Sequence, residues 1–166
     1  MRDLYIILYI LLLIITKEPT TTLLGKIEEM NGTTIEIETE TIEFEIDKPS
    51  ILEKEVFNLI NDIRIQEGLN TLEWDPELFE VAQVRAEEAS VFWSHTRPNG
   101  SEWYTVSKSV HGENLARKYL TPAETVEAWM NSEGHRENIL RENFDRCAVS
   151  LFVNENGYYW CCSFGY

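Results

Sequence analysis

Hydrophobic residues recur at helical spacing in four stretches between residues 50 and 140. Ser50 with Glu53 forms a capping box, and Leu52, Val56, Leu59, Ile60 and Ile63 make an apolar stripe that ends near Gly68. Asp75-Pro76 supplies an N-cap and a first-turn proline for a second helix, whose stripe is Phe79, Ala82, Ala86, Ala89 and Trp93. Pro98 bars its continuation, which puts His95 in or just past the last turn. Thr121, Pro122 and Glu124 repeat the start signal, with Ala123, Val126, Trp129 and Met130 as the buried face. Gly134 is expected to end this third helix and to present His135, and "HRENIL" reads as a short fourth helical turn.

On either side of this helical region the pattern changes. "RCAVSLFV" and "YYWCCSFGY" flank "NENG", which predicts a hairpin with Val153 opposite Tyr158. Upstream, Ile35 and Ile37 alternate with glutamates, and Ile42, Phe44 and Ile46 alternate in the opposite phase. Residues 21–49 therefore read as a small acidic β-extension with a turn or bulge near Glu40 and Thr41. Residues 1–20 carry Arg2 and an unbroken apolar run from Leu4 to Ile15, the length of a signal-peptide core. No Ala-x-Ala pattern follows, so both a cleaved signal peptide and a retained membrane anchor remain open, and export is favoured either way. Residues 50–166 form the remaining domain, and helices followed by an antiparallel pair predict a layered α+β fold.

Composition changes this picture in one respect. The chain has 29 Asp and Glu against 14 Lys and Arg, a net charge of −15, with no basic cluster in sequence. Such a chain is repelled by phosphate backbones, which excludes nucleic acid as a partner. In the hairpin register Cys147 and Cys162 share a face and sit diagonally, at the outer limit for a disulfide, while Cys161 points away. A bulge would bring the pair closer; three reduced, buried thiols are the alternative.

The candidate chemistry rests on His95, His111, His135 and Glu113. Two imidazoles and a carboxylate are the ligand set of an open zinc site, and equally an acid–base pair. Spacing does not choose between these and three unrelated surface histidines. Neither His-Glu-x-x-His nor Gly-x-Ser-x-Gly is present.

The motifs "SHTRPNG", "GENLA", "TPAETVEAWMNSEGHRENIL" and "YYWCCSFGY", after "FNLINDIRIQEGLNTLEWDPELFEVAQVRAEE", resemble the CAP superfamily over residues 51–166. This is the family of cysteine-rich secretory proteins, venom allergens, plant pathogenesis-related proteins and many prokaryotic exported proteins; the SCP domain is its other name. The resemblance implies a three-layer α-β-α sandwich with a central antiparallel sheet and a cleft lined by two histidines and two glutamates. His95, Glu113 and His135 match cleft positions, and "WMNS-GHR" is similar to the prokaryotic branch. The second cleft glutamate is replaced by Ser132, with Glu133 one step on as its stand-in and as candidate general base. One step on a helix turns a side chain by about 100°, so a three-residue site is expected. His111 matches no family role, and Cys147 and Val149 stand where glycines are common.

Family members are linked to sterols and other lipids, to divalent metals and, in isolated cases, to proteolysis. The resemblance thus implies an extracellular or cell-surface binding module for a small ligand, lipid, divalent metal or cell-envelope component. A structural or adhesion protein is a second expectation. A hydrolase with zinc on His95, Glu113 and His135 is a third.

Overall fold

Three of the four helices begin where the cap signals place them. The computed structural model describes residues 50–166; the apolar segment (1–20) and the β-extension (21–49) lie outside the described residues. Helix α1, Ile51–Gln66, opens on the Ser50/Glu53 box, in which Glu53 Oε2 accepts from the Ser50 amide at 2.6 Å. Asp75 Oδ1 accepts from the Leu78 amide at 3.0 Å to start α2, Pro76–Val91, after a two-residue strand β1, Glu73–Trp74. A 3₁₀ turn, Trp103–Val106, precedes β2, Gly112–Arg117. Thr121 and Glu124 then box the start of α3, Pro122–Met130. The chain continues through α4, Glu133–Leu140, and closes on β3, Arg146–Asn154, and β4, Gly157–Gly165. Among the described residues no helix is long and apolar enough to cross a membrane.

Gly134 does not end the third helix as expected. That helix stops at Met130 with Asn131 as its C-cap, and Ser132 is the N-cap of α4, which makes His135 the third residue of a new helix. Left-handed glycines among the described residues are Gly68, Gly100 and Gly157, so Gly134 lacks the conformation that terminates helices. Three residues of the expected stripes are also exposed, Leu52, Ala123 and Trp93, the last lying past the end of α2, while Glu53 and Arg64 are buried on the face of α1 that packs inward.

The sheet order is β1-β3-β4-β2. β3, β4 and β2 pair antiparallel, but β1 runs parallel to β3, so the sheet is mixed and not wholly antiparallel. Strand alternation sorts the two covering layers. Cys147, Val149, Trp160, Cys162 and Phe164 face Val56 and Ile60 of α1, Val126 and Trp129 of α3, and Ile139 of α4. Ala148, Leu115 and Cys161 face the opposite way, onto Leu78, Ala82, Ala86 and Ala89 of α2. The result is an α-β-α sandwich in which the small alanines let α2 approach the sheet closely. Beyond the end of short β1, the Leu151 amide on the edge of β3 donates to Glu53 Oε1 at 2.7 Å, so the capping glutamate also closes the sheet edge.

The hairpin register holds as read from sequence, with Val153 opposite Tyr158, Cys147 opposite Phe164 and Cys162 opposite Val149. The candidate Cys147–Cys162 disulfide is not formed, and all three cysteines are buried free thiols. The ladder runs without a bulge. The two side chains are nonetheless neighbours, with Cys147 within hydrogen-bond reach of Cys162.

Candidate functional site

Glu113, the second residue of β2, is buried at 4% exposure and faces Arg85 of α2, itself at 1%. Gly112 permits this placement: a Cβ there would stand 2.9 Å from the Phe144 ring. Arg85 grips the carboxylate with two nitrogens, Nε to Oε2 at 2.6 Å and Nη2 to Oε1 at 3.2 Å. The same guanidinium donates to Glu88 at 2.6 Å and to the Ser94 and His95 carbonyls at 3.0 and 3.4 Å. Arg97 closes the chain of charges by binding Glu88 through Nε and Nη2. Burial alone would lower the Arg85 pKa, but the bonds to Glu113 and Glu88 more than reverse it and the net shift is upward. Burial likewise pushes Glu88 up, and its two arginines bring it below the ordinary carboxylate value.

This lattice aims His95. The loop after α2 is held by its carbonyls on Arg85, and His95 Nδ1 meets Glu113 Oε1 at 2.8 Å. A carboxylate only accepts, so Nδ1 carries the proton, and the neutral form of this half-exposed ring offers Nε2 as an acceptor. His135 comes from the other side of the molecule. Asn114 of β2 donates to the His135 carbonyl at 2.9 Å, and Asn138 of α4 donates to the Glu113 carbonyl and to Asn114 Oδ1. These bonds seat the first turn of α4 on β2 and leave the His95 and His135 rings 6.0 Å apart. Burial, then the neighbouring His95, lower the His135 pKa, with Glu113 opposing, so the ring is neutral at physiological pH.

The structure therefore brings together His95, Glu113 and His135. The three do not fit a zinc ligand set. Both oxygens of Glu113 are engaged by Arg85, a permanently charged group that a cation would have to displace, and Oε1 also accepts from His95. Among the described residues no group of three or more His, Cys, Asp or Glu side chains is arranged to hold a metal. Glu133 also departs from its expected role. It is exposed and lines a groove on α4 with Arg136, Glu137 and Arg141, whereas Ser132 and His135 line a different cleft. His111 stays apart, donating to or accepting from nothing in the site; its Nδ1 lies 3.0 Å from the Ser109 carbonyl and its ring 4.2 Å from that of Tyr166. Burial pushes the Cys161 and Cys162 thiols well above the ordinary thiol value, which keeps both in the unreactive protonated form.

Sequence reasoning missed Arg85, Glu88, Arg97, Asn114 and Asn138. One signal was present: Arg85 interrupts the alanine stripe three residues after Ala82 and four before Ala89, where a charge needs a buried partner.

A family model described as the cysteine-rich secretory protein family, CAP, matches residues 57–164. The Bacillus subtilis (strain 168) protein YkwD is 37% identical over 123 residues, which is 69% of this chain and 47% of YkwD. The chain thus spans about half the length of that curated relative. An extracellular protein containing an SCP domain from Bacillus anthracis str. Ames superposes with a TM-score of 0.61 at 25% identity, over 69% of this chain and 40% of that one. An outer surface protein from Borrelia burgdorferi gives 0.59 at 24% identity, over 68% of this chain and 90% of that one, and shares the fold.

Proposed function

The chain belongs to the cysteine-rich secretory protein family, CAP, and from that premise we propose that it is a binding module working outside the cell, secreted or held at the cell surface. Its cleft side, reached by His95 and His135, takes a small ligand or a component of the cell envelope. The observation that carries this reading is the treatment of Glu113. Its carboxylate is wholly committed to Arg85 and His95, which makes it an anchor for an imidazole and not a group free to take part in turnover. Two neighbouring imidazoles are left presenting ring nitrogens to a ligand. A relative described as extracellular supports the compartment. Residues 4–15 would supply the export signal or the tether.

Cosedimentation of the whole chain with purified Bacillus subtilis cell walls tests the reading. Loss of both imidazoles in His95→Ala with His135→Ala removes two hydrogen bonds, so the apparent affinity should fall about tenfold or more. Equal sedimentation of this variant, with its circular dichroism unchanged, would overturn the assignment of the site.

A further inference from the structure

Next to the histidines lies a surface cleft of about 360 Å³. His135 forms part of its wall, together with Trp93, Arg117, Lys118, Tyr119 and Trp129. The chain carries a net charge of −15, yet the residues lining this cleft include two cations and no Asp or Glu. Such a local reversal of sign makes an anion site in a molecule whose overall field repels anions. Arg117 is ordered on the Trp93 ring, its guanidinium carbon 4.7 Å from the centroid, and both side chains remain open to solvent.

Two residues that line the cleft are unusual. Trp129 is 1% exposed, and its indole N–H is a buried side-chain donor with no hydrogen-bond partner. Trp160, by contrast, satisfies its own indole N–H on the Tyr119 carbonyl at 3.1 Å. A buried donor left without an acceptor is destabilising unless something else accepts from it. Lys118 has a φ of 73°, the left-handed region, and among the described residues no other residue with a side chain does. That conformation disfavours any residue with a Cβ, and a glycine would adopt it freely. Retaining a lysine there keeps a cation at the rim at the expense of backbone strain.

We propose that this cleft binds an acidic saccharide, a sugar ring bearing a carboxylate or a phosphate. The anionic group meets Arg117 and Lys118, the apolar ring face lies on Trp93 or Tyr119, and ring oxygens or hydroxyls bond to His135. The inference rests on the binding reading above and names the chemistry of its ligand.

Calorimetric titration of the whole chain with tetragalacturonate, galactose 6-phosphate and neutral galactotetraose separates the alternatives. An acidic probe should bind at least tenfold more tightly than galactotetraose, and the tighter of the two acidic probes identifies carboxylate or phosphate. Arg117→Gln should reduce that affinity severalfold or more. Lys118→Gly should reduce it as well while leaving the Tm unchanged or raised, because glycine relieves the φ strain; a purely structural lysine would not separate the two readouts. Equal affinity for acidic and neutral probes, no binding of any probe, or tighter binding to phosphatidylglycerol vesicles than to any saccharide would overturn the proposal. Any of these outcomes leaves wall binding dependent on His95 and His135 intact, so the two ideas fail separately.

Discussion

Arg64 and Arg85 are both almost fully buried, at 0% and 1% exposure, but they meet different partners. Arg64, in the last turn of α1, donates to four backbone carbonyls: Asn70, Ile139, Arg141 and Phe144. It ties the loop after α1 to the end of α4 and the connection into β3, and among the described residues no carboxylate is involved. Arg85 divides its donors between two carboxylates and two carbonyls, and one of those carboxylates holds His95. The first arginine fastens chain segments through neutral acceptors. The second fixes a charge that the site depends on. A guanidinium serves both because its donors fan out in one rigid plane.

Removing each guanidinium in turn puts this contrast at risk. Arg85→Met leaves Glu113 buried without its counter-charge, and loss of one member of a buried pair costs about 3–5 kcal/mol. Urea denaturation should show that loss, and wall binding should fall with it because His95 is no longer held. The double change Arg85→Met with Glu113→Met should restore much of the stability without restoring binding.

Arg64→Lys keeps the charge but cannot reach four carbonyls from one compact ammonium. Two or more lost bonds to a charged donor predict a penalty of about 2–4 kcal/mol. Here the same denaturation should move while binding per folded molecule stays constant. A fall in binding matching that of Arg85→Met would show that the two arginines are not functionally distinct.

A smaller effect, read through pH, isolates the histidine side of the site. The folded-state pKa of His135 is lowered, chiefly by burial and then by His95. The unfolded chain therefore binds a proton at that residue before the folded protein does. Stability is full above the ordinary histidine value of about 6.5 and declines as pH falls from there through the folded pKa. His135→Gln should flatten that part of a Tm-against-pH profile. No change in the slope would mean that another group titrates there.

Much of the fold was legible locally. Ser50, Asp75 and Thr121 each accept from an amide two or three positions into its helix, so capping signals within four residues located three helix starts. The turn at "NENG" did the same for the hairpin, where a slip of one residue would have moved Cys162 and Trp160 from the layer of α1 and α3 to that of α2. β2 was not legible as a strand, because five of its six residues are buried and both faces are covered, which erases period two. Parallel β1 was invisible for a different reason, since two residues carry no period at all.

At the site the division is similar. The motifs named His95, Glu113 and His135, and the structure brings all three together. What those residues do to one another was set only in three dimensions. Arg85 lies 28 positions from Glu113, and Asn114 lies 21 from His135, so no local pattern relates them. Likewise, Glu133 follows Ser132 directly in sequence, yet the turn of α4 sends the two side chains to different surfaces. Most helix starts, the pairing of the hairpin and the identity of the chemical side chains were written into the chain, because caps and alternation act between near neighbours. The clamping of Glu113 by an arginine belongs to the folded state alone, because a charge finds its buried partner through packing, across any length of chain.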